Sequence, residues 1–362
     1  MRSVLVTGGA GFIGSNFVRY LLEAEPFVQI INLDALTYAG NRNNIAEIDS
    51  PRHHFIHGNI CDRRLVQRLF RQYRIDTVVH FAAESHVDRS IGDPARFVNT
   101  NINGTQVLLE AARRFWFRRD GTLRDGVRFH HISTDEVFGS LRPEDDPFTE
   151  ESAYQPRSPY AASKAASDHL VRAYFHTFKL PVTISNCSNN YGPYQHPEKL
   201  VPLMFTNCLM GYRLPIYGDG RQIRDWIYVE DHSDAIHAIL LEGRPGETYL
   251  VGGGNQPTNL EIVLSVCALM DELQPDSPHV PHAHLIEHVM DRFGHDRRYA
   301  VDTSKIESEL SWHPLHGLEE GLRATIQWYL EHEEWVREVL DGSNFRAWIR
   351  AQYEERKDRP LS

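Results

Sequence analysis

Thr7-Gly8-Gly9-Ala10-Gly11-Phe12-Ile13-Gly14 follows the apolar run Val4–Val6 and opens Ile13–Leu22, where apolar residues recur at three- and four-residue spacing. Gly8, Gly11 and Gly14 thus form a G-x-x-G-x-x-G turn between a predicted strand and a predicted helix. Glycine permits the tight turn, and the missing side chains let a diphosphate approach backbone N–H groups at the helix N-terminus. Asp34 ends the next β-branched run, Ile30–Leu33. An acid at that place accepts hydrogen bonds from an adenosine ribose and repels a 2′-phosphate. The residues after it are Ala35, Leu36 and Thr37, with no arginine, so the pattern predicts NAD rather than NADP.

Outward from this turn, strand-like and helix-like segments alternate. His54–His57, Thr77–Phe81, Phe129–Ser133 and Val182–Asn186 read as strands, and Val66–Tyr73 and Val107–Phe115 as helices. The alternation predicts an α/β fold: a Rossmann-type doubly wound parallel sheet. After Asn186 the pattern loosens. Proline and glycine punctuate Tyr191–Tyr217, Trp226–Leu241 reads as one more strand and helix, Pro275–Phe293 as loop, and Leu318–Trp335 as a helical tail. We expect a smaller, interleaved C-terminal substrate-binding lobe. Residues 1–188 make the cofactor domain, with 224–245 returning to it; 189–223 and 246–362 belong mainly to the second lobe. There is no internal repeat and no low-complexity tract.

The formal net charge of −11 argues against a nucleic-acid partner, which asks for a concentrated basic face. Cys61, Cys187, Cys208 and Cys267 lie far apart without a C-x-x-C pair, which predicts neither disulfides nor zinc and fits a reducing cytoplasm. No apolar run approaches the ~20 residues of a membrane helix, and the N-terminal residues run straight into the first strand without a signal segment. His282, His284 and His288 alternate with apolar residues and lack a thiolate or acid at ligand spacing, so no metal is expected. Trp312, Trp328 and Trp335 read as core or interface aromatics.

Tyr160 and Lys164 follow Pro159 with Y-x-x-x-K spacing, which puts both on one helical face. An ammonium there can hold a ribose and lower the phenol pKa. The strand Phe129–Ser133 leads into Thr134, Asp135 and Glu136, beyond the carboxyl end where an open sheet binds its ligands. Two adjacent carboxyl groups can divide acid and base work if their surroundings push their pKa values apart.

The segments TGGAGFIG, HFAAESHVDRS, HHISTDEVFGS, SPYAASKAASDHLVRAY, NCSNNYGPYQHPEKLVPL, GDGRQIRDWIYVEDH and GHDRRYAVD together resemble the dTDP-glucose 4,6-dehydratases of the extended short-chain dehydrogenase/reductase superfamily. The resemblance runs nearly end to end. It implies that Tyr160, supported by Lys164, takes the proton of the sugar 4-hydroxyl while NAD⁺ accepts the 4-hydride, with Thr134 hydrogen-bonded to the same hydroxyl. It implies that Glu136 removes the 5-proton, that Asp135 protonates the departing 6-hydroxyl, and that the hydride returns to the 6-carbon. The implied cofactor contacts are Gly8, Gly11, Phe12, Ile13, Gly14, Asp34, Thr37, Asn59, Ile60, Phe81, Ala82, Ala83, Ser85, Thr100, Tyr160, Lys164 and Asn190. Those to the nucleotide sugar are Ser85, Thr134, Asn189, Lys199, Leu200, Arg224, Asn259 and His295, and a guanidinium such as Arg224 suits a diphosphate. The family's homodimer would pair the helices near Val107–Phe115 and Ala161–His176, segments that could equally cover the sheet.

Three positions depart from the family pattern. Asn59 replaces an aspartate facing the adenine amino group, Phe138 a tyrosine, and Phe293 a proline. A UDP-glucose dehydratase would keep nearly all these residues. A nucleotide-sugar 4-epimerase would keep Tyr160 and Lys164 but has no need of Asp135 and Glu136, and a non-catalytic NAD sensor would not need Tyr160 or Lys164.

Overall fold

The computed structural model describes residues 1–291 and 294–342. Its strands are, in chain order, β1 (Ser3–Thr7), β2 (Gln29–Asp34), β3 (His53–His57), β4 (Thr77–His80), β5 (Arg128–Thr134), β6 (Val182–Cys187), β7 (Asn189–Tyr191), β8 (Leu214–Tyr217), β9 (Trp226–Tyr228), β10 (Thr248–Val251) and β11 (Ile286–Val289). Helices α1 to α6 are Phe12–Ala24, Arg63–Tyr73, Val87–Gly92, Pro94–Phe97, Thr105–Trp116 and Pro159–Phe178. Helices α7 to α12 are Leu200–Met210, Val229–Glu242, Asn259–Leu273, Ser304–Leu310, Leu318–Glu331 and Glu333–Gly342.

Seven parallel strands form the central sheet in the order β10-β6-β5-β4-β1-β2-β3. Successive side chains of a strand point to opposite faces, and both faces here are covered. Val4 and Val6 meet Phe17, Val18 and Leu21 of α1 and Ile236 of α8. Leu5 faces the other way, into Leu69 and Phe70 of α2 and Leu108 of α5. All three β1 residues are fully buried, each worth about 1.5–3 kcal/mol relative to exposure. That is why β1 reads as an unbroken apolar run. The chain leaves β1 for β2 on one side and later reaches β4 on the other, so the strand order reverses at β1 and a crevice opens there.

The loosened half of the sequence holds three surprises. β9 does not join the main sheet but pairs with β7. β10 does join it, beside β6, although it lies beyond residue 245 where the expected return ended. β11 forms within the proline- and histidine-rich stretch read as loop, pairing with β8. All three are short and depend on partners distant in sequence, which periodicity cannot supply. The second lobe packs α7, α9, α11 and α12 around Phe205, Val266 and Tyr329, with Trp335 in the same core. Trp312 is buried near α10, and Trp328 packs partly buried against Tyr194.

Among the described residues no helix is long and apolar enough to cross a membrane, and no group of three or more His, Cys, Asp or Glu is placed to hold a metal. His282 is buried with its ring on Asp271, and His288 bonds the Gly218 carbonyl at 2.8 Å.

Candidate active site

A cavity of about 320 Å³ opens at the carboxyl ends of β1, β4, β5 and β6. Gly8, Gly11 and Gly14 line one end with Phe12 and Ile13. Gly8 has φ +75°, and a Cβ there would sit 2.7 Å from the Ala82 nitrogen; a Cβ on Gly14 would lie 2.2 Å from the Gly8 carbonyl oxygen. Backbone cannot yield to either, so the turn admits only glycine at both. Among the described residues no side chain caps α1, which leaves its first N–H groups at the cavity for an anion. Asp34 closes this end. Its two oxygens accept the N–H groups of Ala10 (2.9 Å) and Leu36 (2.8 Å), and burial pushes its pKa above the usual carboxylate range. A cradle that any side chain would fill, an open helix terminus and a fixed acid together fit NAD.

Thr37, Asn59 and Ile60 lie at the same end. The Asn59 side-chain carbonyl already accepts the Cys61 N–H at 2.8 Å, leaving one lone pair for an adenine amino group. Phe81, Ala82, Ala83, Ser85 and Thr100 line the middle, Thr100 from a π-helical stretch, Val98–Gly104. Asn190 also lines the cavity, with Oδ1 held by His232 Nδ1 at 2.8 Å.

Thr134, Asp135, Glu136, Tyr160 and Lys164 meet at the inner wall of the same cavity. β5 delivers the first three: Thr134 caps the short 3-10 turn Asp135–Phe138 that follows it. Ser158 caps α6 by accepting the Ala161 N–H at 3.0 Å, and Pro159 at the first helical position sets the direction in which Tyr160 and Lys164 project. Asp135 is 1% exposed, and burial, with Glu136 and Asp225 nearby, pushes its pKa well above the usual value against the pull of Arg224. Burial therefore favours its protonated form, and among the described residues its Oδ2 has no hydrogen-bond partner. Glu136 is only partly buried. Adjacent carboxyl groups therefore sit in unlike surroundings.

The phenol departs from the simple expectation. Burial and the nearby Glu136 carboxylate push the Tyr160 pKa well above its ordinary value, and Lys164 does not offset them in the protein alone. Lys164 Nζ instead donates to the Ile132 carbonyl at 2.7 Å and lies 3.4 Å from His131 Nε2. Burial lowers its pKa, and Asp168 partly restores it.

Asp168 and His131 escaped the sequence reading. Asp168, one turn beyond Lys164 on α6, accepts hydrogen bonds from Ser133 Oγ and Tyr154 OH (both 2.8 Å), with His131 Nε2 3.3 Å from its other oxygen. Burial drives the His131 pKa down to about 4, while the His131 and Ser133 contacts hold the Asp168 carboxyl below its usual range despite its own burial. The i+4 spacing of Lys164 and Asp168 was the available signal. His196 and Glu198 also line the cavity and were not singled out.

Of the residues implied for the nucleotide sugar, Ser85, Thr134, Asn189 and Lys199 line the cavity; Leu200, Arg224, Asn259 and His295 do not. Leu200 begins α7 and packs against the second-lobe core, and Asn259 begins α9 half-buried. Arg224 is buried rather than on the surface: it donates to the carbonyls of Ile223 and Asp296 and stacks 4.2 Å over Tyr299. His295 bonds Asp291 at 2.6 Å. Phe138 stacks on Phe148 and meets Tyr154 edge-on, an apolar setting in which a phenyl ring serves without a hydroxyl. Phe293 lies outside the described residues.

Comparison with known proteins agrees with this geometry. The family model described as GDP-mannose 4,6 dehydratase matches residues 5–325. A dTDP-glucose 4,6-dehydratase of Neisseria meningitidis serogroup B is 54% identical over 346 residues, covering 95% of this chain and 97% of that one. The crystal structure of a dTDP-glucose 4,6-dehydratase from Streptomyces venezuelae with NAD bound is 48% identical, covers 92% of this chain and 98% of its own, and superposes with a TM-score of 0.83. A UDP-glucose 4-epimerase from Thermotoga maritima shares the fold at a TM-score of 0.79, covering 91% of this chain and 99% of its own, but is 29% identical. The scaffold is common to both activities, and the higher identity lies with the dehydratases. The chain belongs to the dTDP-glucose 4,6-dehydratase family, within the extended short-chain dehydrogenase/reductases.

Proposed function

We propose that the protein converts dTDP-glucose to dTDP-4-keto-6-deoxyglucose and water, a step toward deoxysugars. The observation that carries this reading is the pair of unlike carboxyl groups: the buried Asp135, whose pKa is raised, beside the part-exposed Glu136, both lining the cavity that holds Tyr160. An epimerase has no water to expel and no use for such a pair. NAD held by the glycine turn and Asp34 would supply the hydride acceptor in its oxidised form and the hydride donor once reduced.

Tyr160 takes the 4-hydroxyl proton, Lys164 holds the ribose beside it, and Thr134 hydrogen-bonds the same hydroxyl. The resulting ketone makes the 5-proton acidic, and Glu136 removes it. Asp135 gives its proton to the 6-hydroxyl, which leaves as water. Ser85, Asn189 and Lys199 hold the nucleotide sugar within the cavity. Arg224, Asn259, Leu200 and His295 act from the second lobe. We place the enzyme in the cytoplasm, consistent with its four free cysteines, as a homodimer through the outer sides of α5 and α6. Light scattering tests the dimer.

Deuterium tracing tests the reaction. Substrate labelled at the 4-carbon is mixed with unlabelled substrate carrying heavy carbon in its ring. Deuterium at the 6-methyl group, only in molecules without heavy carbon, is the expected result. Deuterium retained at the 4-carbon would overturn the dehydratase reading in favour of an epimerase. Parallel assays with dTDP-, UDP-, CDP- and GDP-glucose fix the base, with dTDP expected to be preferred.

A further inference from the structure

The loop after β2 closes the Asp34 end of the cavity, which it lines with Thr37, Ala39 and Gly40. It packs closely enough that a Cβ on Gly40 would lie 2.7 Å from an Asp34 carboxylate oxygen. The short 3-10 turn Arg42–Ile45 follows, and its buried Asn44 reaches back, donating from Nδ2 to the Ala10 carbonyl at 2.9 Å. The Asn41 N–H takes the same carbonyl at 3.0 Å, so both lone pairs of that oxygen are used. The Ala10 N–H in turn donates to Asp34 at 2.9 Å. Ala10, in the middle of the glycine turn, is thus held at its amide and at its carbonyl.

What holds Asn44 comes from the far end of the chain. Trp335 of α12 donates its indole N–H to Asn44 Oδ1 at 2.9 Å, a contact between buried groups 291 residues apart. Beside it, Asn43 Nδ2 donates to Glu338 of the same helix. An amide side chain can present either its oxygen or its nitrogen, but an indole N–H can only donate. Trp335 therefore admits only the amide orientation with Oδ1 toward the indole, the one that leaves Nδ2 for Ala10. Turned over, the amide would set its NH₂ against the indole N–H and its oxygen against a carbonyl. Trp335 also belongs to the second-lobe core, so one ring joins that core to the glycine turn.

We propose that Trp335 and Asn44 are positioning residues for NAD: helix α12 of the second lobe clasps the glycine turn and keeps the cofactor from leaving. Neither residue lines the cavity, so both act through the Ala10 backbone and Asp34. With the turn fixed beforehand, NAD meets N–H groups already in place. A turn that wanders lowers the affinity in proportion to the time it spends out of shape. The proposal requires NAD in the glycine turn and is independent of which nucleotide sugar enters.

NAD release from the purified holoenzyme tests it. The enzyme is filtered free of loose nucleotide, and NAD appearing in later filtrates is followed over time. Trp335→Phe keeps a ring in the core but has no N–H, and should release NAD roughly tenfold faster, the scale of one buried polar group left unpaired. Against added NAD, the defect should fall on KM rather than on kcat. Asn44→Ala should also speed release, and the double variant should be no worse than Asn44→Ala alone, because both cut one chain of bonds. Val266→Ala weakens the same core away from the cofactor loop and should release NAD as wild type does. Wild-type release from Trp335→Phe, effects that multiply in the double variant, or equal acceleration in Val266→Ala overturns the clasp. Wild type carries a test independent of how the variants fold, since a helix that holds NAD is by linkage held by it. Hydrogen exchange in α12 should slow when NAD is returned to the stripped enzyme, while α9 in the same lobe stays unchanged. Exchange in α12 that ignores NAD, or slows no more than in α9, overturns the proposal.

Discussion

Replacing His232 with glutamine should make the protein less sensitive to acid. His232 is fully buried on α8; its Nδ1 donates to Asn190 Oδ1 at 2.8 Å, and among the described residues its Nε2 has no hydrogen-bond partner. Protonation would put a second N–H where nothing accepts it, and burial drives the pKa from 6.5 to about 3. The folded chain therefore keeps this ring neutral through pH 5, while the unfolded chain takes up a proton as pH falls below 6.5. Acid pulls the equilibrium toward unfolding. Between pH 7 and pH 5 the difference is about 2 kcal/mol for this one ring. Glutamine can still donate to Asn190 but does not titrate. Urea unfolding of wild type and His232→Gln at both pH values measures the change, and taking the difference cancels every other titrating group. The variant should lose about 1–2 kcal/mol at pH 7 for the altered packing and bond, and recover about 2 kcal/mol relative to wild type at pH 5. An unchanged gap would refute the assignment of a neutral buried ring.

Gly14→Ala should purify without NAD, because its Cβ would lie 2.2 Å from the Gly8 carbonyl oxygen; nucleotide released on denaturation measures the loss. Asp168→Asn removes the acid that supports the buried Lys164 ammonium. The alkaline limb of the pH–rate profile should move to lower pH, and unfolding should become easier by about 1–3 kcal/mol as the buried Ser133 and Tyr154 hydroxyls lose their carboxylate acceptor. Glu136→Gln should still oxidise the sugar but stall before water is lost, so absorbance at the reduced-nicotinamide wavelength should build up on the enzyme. Wild-type turnover by this variant would show the base to be misassigned.

The parts of the site that travel as one contiguous segment were legible in the sequence. The glycine turn, Asp34, Thr134 to Glu136, and the tyrosine–lysine pair each declare themselves through local spacing, and all line one cavity. The parts built by folding were not. Nothing local tells that β11 pairs with β8, or that Arg298 bridges to Leu141 and Ile223, where Arg224 stacks on Tyr299 near Glu136. The electrostatics were hidden for the same reason. The Y-x-x-x-K spacing fixes which side chains share a helical face, but the depth at which Tyr160 and Lys164 sit, which dominates both their pKa shifts, is a property of the assembled sheet.

The order in which the ribosome delivers the strands has a cost that the finished fold conceals. β6 emerges long before its outer neighbour β10, and the pieces between them, β7 to β9 with α7 and α8, are divided between both lobes. Until Val251 is made, the nascent sheet ends in Val182–Cys187, an edge buried in the finished fold whose N–H and carbonyl groups are still unpaired. A chain arrested or cut between these strands carries a complete glycine turn and catalytic pair beside a sticky margin, which makes such fragments prone to strand-to-strand association rather than to independent folding.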